Sequence, residues 1–211
     1  MKTKETLFRI TFLGIFVFLL IRGTPLLWLA IYGGTLVLAI FFGRIFCGYI
    51  CPMNTLMVPT DSLAKKLKIQ SKNTPKWLTH PILPWIFLVV SLLAMVLLKR
   101  QFKMDIPILP IWMALSVLIT LFFQPSVFHN HICPFGPLQA LTGRFARSSR
   151  YVDKEACIGC KLCEKACPSM AILVQPEDKK AVISKELCHQ CTSCTLVCPT
   201  DCIHYGSGVS L

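Results

Sequence analysis

Cys157-Ile158-Gly159-Cys160-Lys161-Leu162-Cys163-Glu164-Lys165-Ala166-Cys167-Pro168 decides how this chain is read. It returns 31 positions later as Cys188-His189-Gln190-Cys191-Thr192-Ser193-Cys194-Thr195-Leu196-Val197-Cys198-Pro199. Each run sets three cysteines two residues apart, a fourth three residues further on, and a proline directly after it. A 4Fe–4S cube needs one thiolate per iron, and a tight loop can present three sulfurs to three of its corners. The fourth cysteine opens a new segment and, in tandem runs, reaches the other cluster. The spacing assigns Cys157, Cys160, Cys163 and Cys198 to one 4Fe–4S cluster. Cys188, Cys191, Cys194 and Cys167 go to the second. Structural zinc sites also use paired CxxC motifs, but zinc does not account for two matched runs that both close in Cys-Pro.

The repeat continues past the ligands, with Ser169-Met170-Ala171-Ile172 answered by Thr200-Asp201-Cys202-Ile203. The segment is a duplicated half, for which pseudo-two-fold symmetry is expected. Cys202 falls where the first half has Ala171 and reads as a small buried side chain. Residues 150–206 resemble bacterial-type two-cluster ferredoxins along their whole length. The expected domain is a small α+β ferredoxin-like unit over residues 146–211.

The rest of the chain has a different character. Of 211 residues, 54% are hydrophobic and 15% charged, too apolar for a soluble ferredoxin with one extra domain. Residues 1–150 carry a net charge of +13 and residues 151–211 a net of −1, which together give the overall +12. The basic part is also the apolar part, so nucleic acid is not expected as a partner; lysine and arginine beside apolar runs point to anionic lipid and to topology. Eight of the 12 cysteines are taken by clusters, whose thiolates suit a reducing compartment.

Four apolar runs precede the two four-cysteine runs: Leu7–Ile21, Pro25–Phe42, Ile82–Leu98 and Ile106–Phe123. Each is slightly short of the ~20 residues that cross a bilayer, and flanking aromatic residues extend it, with Trp28, Trp85 and Trp112 near run starts. The expectation is a membrane all-α domain over residues 1–145, with four transmembrane helices in a duplicated two-helix repeat. Arg22-Gly23-Thr24 and Lys99–Asp105 read as short turns. The N-terminus, the interval Gly43–Thr79 and the segment after Phe123 hold 12 Lys/Arg against 4 on the other side. The positive-inside rule then places the N-terminus and the ferredoxin domain in the cytoplasm, on a multi-pass protein of the cell inner membrane. Thr60-Asp61-Ser62 is read as the cap of a short interfacial helix carrying Leu63, Leu67 and three lysines, with a plain solvated loop as the alternative.

This apolar part repeats as well. Phe46-Cys47-Gly48-Tyr49-Ile50-Cys51-Pro52 aligns without a gap, 82 residues on, with Phe128-His129-Asn130-His131-Ile132-Cys133-Pro134. The motifs are CxxxCP and HxxxCP. Positions four apart share a helix face, so Cys47, Cys51, His129 and Cys133 could together supply three thiolates and an imidazole to an iron–sulfur or tetrahedral metal centre. Thiols packed as small apolar groups, or a disulfide across the repeats, are the alternatives. Transmembrane haem b is not expected, since none of the five histidines lies in an apolar run. His131 or His80 is a candidate for handling a quinol proton, against an ordinary interfacial histidine.

Four spans, CxxxCP motifs after the second and fourth, and a two-cluster module resemble the NapH/MauN/NosR-type quinol-dehydrogenase membrane proteins over nearly the whole chain. The resemblance implies electron exchange between the membrane quinone pool and a partner redox enzyme. It carries over to Cys47, Cys51 and Cys133 beside the eight cluster cysteines. The chain departs from the pattern at His129, where the family usually has cysteine.

Three functions compete: an iron–sulfur electron-transfer subunit, a reductase or maturation factor serving metal handling or cofactor assembly, and a membrane anchor for a soluble redox enzyme. The lack of His- or Met-rich tracts weighs against the second. The cysteine and histidine set of the apolar half weighs against the third. The first is preferred, with a partner supplying the terminal chemistry because no nucleotide or flavin motif is present. Residues 146–211 purified anaerobically are expected to bind about eight iron and eight acid-labile sulfides. Two zinc ions and no sulfide would overturn the assignment.

Overall fold

The computed structural model describes residues 3–71, 74–102 and 108–207. In chain order the helices are α1 (Thr3–Ile21), α2 (Pro25–Phe42), α3 (Pro52–Lys66), α4 (Leu83–Phe102), α5 (Ile108–Phe122), a single turn α6 (Pro125–Val127) and α7 (Gly136–Gly143). There follow β1 (Ser149–Val152), α8 (Leu162–Ala166), β2 (Ile172–Val174), β3 (Ala181–Ile183), α9 (Ser193–Val197) and β4 (Ile203–Gly206). The chain forms two compact units, Met1–Cys51 with Leu138–Leu211, and Pro52–Pro137.

The expectation of four transmembrane helices is overturned. No helix among the described residues is long and apolar enough to cross a membrane. At 1.5 Å per residue the 15 residues of α5 reach about 22 Å, against a hydrocarbon core of ~30 Å. Helix α1 has 19 residues but includes Lys4, Glu5 and Arg9. Arg9 is buried, 5.7 Å from the centre of the Tyr49 ring, and Glu5 accepts a hydrogen bond from the Thr192 hydroxyl. Glu5 and Arg9 therefore face protein, while Lys4 is exposed. The 12-to-4 charge split loses its meaning as topology, since that argument needs spans. Part of the turn read at Lys99–Asp105, and the start of the run at Ile106, lie outside the described residues.

In the first unit the ferredoxin-like region is built twice over. Helix α9 falls 31 residues after α8, residue for residue. The Asp153 amide donates to the Cys202 carbonyl and the Ser184 amide to the Ala171 carbonyl, both at 2.8 Å. The Cys157 amide donates to Asp153 O at 3.1 Å, and its counterpart Cys188 to Ser184 O at 3.0 Å. Matching positions also share left-handed backbone: Gly159 and Gln190 at φ 68° and 58°, Met170 and Asp201 at 51° and 47°. The strands pair crosswise and antiparallel. β1 of the first half pairs with β4 of the second, Val152 opposite Ile203, and β2 pairs with β3, Ile172 opposite Ile183. Neither half completes a sheet alone. Between the sheets lies a core in which Val152, Ile172, Val174, Ile183 and Ile203 pack with Cys157, Cys163, Cys188 and Cys194.

Helices α1 and α2 belong to the same unit. Phe16 stacks edge-on against Trp28, and Tyr32 against Phe46, with ring centres 4.9 and 5.0 Å apart. The end of α2 is stitched to the segment entering β1, where the Arg147 and Ser148 amides donate to Ile40 O and Phe41 O at 3.0 and 2.9 Å. Tyr205 of β4 donates to Phe42 O at 3.2 Å.

In the second unit α3 packs on α5. The stripe Leu109, Trp112, Ser116 and Thr120 is buried at helical spacing, and the two small hydroxyl residues let the backbones approach. Their hydroxyls bond carbonyls within α5. The short capped helix expected from Thr60 does not exist as such. α3 runs unbroken from Pro52, so Asp61 lies inside it, paired with Lys65 one turn later at 2.6 Å. Gln70 then closes the loop by donating to Asp61 Oδ1 and to Thr120 O, both at 2.9 Å.

Gly48 lies against the second cysteine loop, and a Cβ there would overlap the His189 carbonyl oxygen. Gly48→Ala is expected to lower stability by about 3 kcal/mol, the upper range for overpacking against backbone. Thermal unfolding of the two chains side by side checks it; an unchanged midpoint would show that this contact can give way.

Candidate functional site

The two cysteine loops owe their shape to glycine and to left-handed backbone. At Gly159 a Cβ would overlap the Lys179 carbonyl oxygen and φ is +68°, so glycine is the residue that fits. Each loop then enters a helical turn that carries its third cysteine and ends as the chain extends into Cys-Pro: Cys167 has φ −78° and ψ 112°, Cys198 φ −77° and ψ 115°. The residue before proline is held out of the helical region, which turns the fourth cysteine away from its own loop.

The consequence is a crossing. A cleft is lined by Cys157, Cys160, Cys163 and Cys198, with Cys202 beside them. On the other side Cys167 and Cys191 both stand within electrostatic reach of Cys188 and Cys194. Each set thus combines three thiols from one half with the fourth from the other. Burial pushes the Cys188 and Cys194 thiols up to about 12, and also raises Cys163. Cys198 moves the other way: burial opposes its ionisation, but hydrogen bonds from the Cys202 amide and from Thr200 outweigh it and lower the thiol. Two sets of four sulfurs, each with two cysteines buried in the apolar core, fit a 4Fe–4S cluster apiece.

The second set of sequence candidates divides between the units. Cys47 and Cys51 lie in the first unit, and His129 and Cys133 in the second. All four are buried, and every cysteine of the chain is a free thiol. Both motifs form π turns, Phe46–Ile50 and Phe128–Ile132, where α-helical spacing was expected. The Cys51 amide bonds Phe46 O and the Cys133 amide bonds Phe128 O, both at 2.8 Å. Pro52 and Pro134 force the preceding cysteine into extended backbone, so its N–H reaches back one residue further than in an α-helix. Isolated π turns cluster at functional sites. Arg44, 1% exposed, donates to Cys47 Sγ at 3.6 Å and to Glu186 O at 2.9 Å. His129 Nε2 lies 3.2 Å from Asn54 Oδ1. Burial lowers His131, favouring its neutral form; His80 is exposed, with its Nδ1 3.4 Å from the Ile82 amide. Among the described residues no group of three or more His, Cys, Asp or Glu side chains is arranged to hold a single metal ion.

Sequence reasoning missed Gln190. It is 3% exposed and left-handed, where the first half has Gly159. Its side-chain amide donates to Ser149 Oγ at 2.9 Å and its Oε1 accepts from the Arg150 amide at 3.2 Å. Its carbonyl accepts from Tyr49 of the first π turn at 3.1 Å. Burial and the Glu5 carboxylate raise the Tyr49 phenol, which keeps it a donor. Gln190 thus ties the second cysteine loop to the first CxxxC motif. The available signal was the broken symmetry of Gly159 and Gln190.

Fold and thiols together define a two-cluster, ferredoxin-type iron–sulfur protein. The family described as 4Fe-4S dicluster domain matches residues 132–205. A 4Fe-4S binding domain family matches twice, over residues 24–70 and 106–151. Those two matches are the helical repeats themselves, each containing one π-turn motif. The chain is 30% identical over 149 residues to an uncharacterized protein of Methanocaldococcus jannaschii, covering 70% of this chain and 61% of the relative. It is 26% identical over 177 residues to the methylamine utilization ferredoxin-type protein MauN of Methylobacillus flagellatus, with 77% and 62% covered. It is 28% identical over 152 residues to the ferredoxin-type protein NapH of Haemophilus influenzae, with 65% and 52% covered. The chain therefore spans about three fifths of the length of the first two and half of the third. No solved structure matches. The chain belongs to the NapH/MauN/NosR-type ferredoxin protein family.

Thiols that are neutral when free must shed their protons to ligate iron. With Cys188 and Cys194 near 12, the metal-free protein holds more protons than the loaded one, so loading strengthens as pH rises. At fixed iron and sulfide, the loaded fraction is expected to climb between about pH 6 and about pH 9, read from the visible absorbance of the clusters. A fraction that falls with pH would contradict the protonated starting state.

Proposed function

We propose that this chain relays electrons between the quinone pool and a partner redox enzyme, using two 4Fe–4S clusters on the ferredoxin-like region. The observation that carries the reading is the crossed division of the eight thiols, three from one half and one from the other at each site. When bound, the clusters supply two one-electron carriers held close to one another. The chain fixes the loops, screens their sulfurs in an apolar core and keeps Cys160 exposed at the rim of the first site.

Redox roles for Cys47 and Cys51 in the first unit, and for His129 and Cys133 in the second, are part of this proposal. Their support is the match of a 4Fe-4S binding domain family to both helical repeats and the paired π turns. The first motif also touches the second cysteine loop directly, through Gly48 on His189 and Tyr49 on Gln190, which gives electrons a short covalent and hydrogen-bonded route. On the quinone side, α1 and α2 present Leu7, Phe18, Ile21, Leu26 and Val37 to the outside. Apolar faces of this extent suit a lipid surface or an apolar electron carrier. We place the protein at the cytoplasmic face of the cell inner membrane on that ground.

Cys51→Ala is expected to abolish reduction of the clusters by a quinol while dithionite still reduces them. Stopped-flow bleaching of the visible absorbance follows both reactions. Unchanged quinol kinetics and unchanged metal content would reduce the π-turn cysteines to packing.

A further inference from the structure

We propose that Cys202 is a reserve ligand of the first cluster, able to take the place of Cys198 at its iron; the inference rests on the cluster assignment proposed above. Cys202 is 4% exposed, and it lines the same cleft as Cys157, Cys160, Cys163 and Cys198. Its sulfur lies 3.4 Å from that of Cys198. The two are four residues apart across Pro199-Thr200-Asp201, with Asp201 in left-handed backbone folding the turn back on itself. A change of side-chain rotamer carries a cysteine sulfur roughly 3 Å, so the Cys202 sulfur can enter the Cys198 position with little backbone movement. On substitution the Cys202 S–H loses its proton to solvent and one iron–sulfur bond forms where the Cys198 bond is missing. No electron is transferred.

The duplicated half supplies a control. At the position of Cys202 the first half has Ala171, whose amide donates to Cys167 Sγ at 3.2 Å. The second cluster therefore has a hydrogen bond to its crossing thiol but no spare sulfur. The two crossing cysteines occupy equivalent places in the fold, yet removing them should have unequal consequences.

The test uses the full chain, purified anaerobically, with iron and sulfide analysis and EPR of the dithionite-reduced protein. C202A is expected to keep the wild-type iron content, C198A also to keep it but with one altered EPR signal, and C167A and C198A/C202A to hold about four iron fewer than wild type. Should C198A accumulate poorly, C198S provides the same reading: a spectrum shared by C198S and C198A marks Cys202 as the ligand, whereas a distinct one marks the serine oxygen and overturns the proposal. The proposal also fails if C198A falls to the iron content of C198A/C202A. A wild type with fewer than about eight iron and eight sulfides would instead overturn the cluster assignment itself.

Discussion

Each cysteine loop presents three thiols and turns its fourth away, and the rest of the ferredoxin-like region follows from that constraint. A cluster with four irons needs a fourth sulfur, and the Cys-Pro step directs it to the neighbouring half. The backbone obeys the same rule, since β1 pairs with β4 and β2 with β3. Half one cannot complete its sheet or its ligand set without half two. Metal loading would couple to folding in this way, because four of the proposed ligands, Cys157, Cys163, Cys188 and Cys194, are core side chains.

The helical repeats obey a different constraint, set by proline. Pro52 and Pro134 stop each helix one residue after a cysteine and stretch its last turn into a π turn. Such a turn is less favourable than α-helix, and the first is held by tight packing: Gly48 against the His189 carbonyl, Tyr49 on Gln190, Arg44 reaching both Cys47 and the Glu186 carbonyl. Buried Arg44 places a fixed positive charge beside a thiol. That is the arrangement expected where negative charge is to be accommodated.

The two halves of the ferredoxin-like region are alike in backbone and unlike in detail. Gln190 replaces Gly159 and accepts left-handed backbone; its side chain ties the second loop to β1, and its carbonyl ties it to the first π turn. Cys202 replaces Ala171 beside the crossing thiol. Both departures sit in the second half. One concerns the loop that meets the N-terminal helices, the other the cleft that faces solvent.

Read alone, the sequence determined the two duplications, the four-cysteine runs and the apolar character of the N-terminal helices, because these rest on spacing and composition. The same spacing grouped the eight thiols into two proposed cluster sets, and the four of the first, Cys157, Cys160, Cys163 and Cys198, line one cleft. Sequence alone misjudged the apolar runs. Hydropathy counts residues but does not see which way they face, and Arg9 and Glu5 point inward to Tyr49 and Thr192. The π turns, the buried role of Arg44, the tie through Gln190 and the closeness of Cys202 to Cys198 were decided by tertiary structure. Each depends on a contact between residues far apart in the chain, or on a turn whose hydrogen bond shifts by one residue, and neither leaves a periodic trace in the sequence.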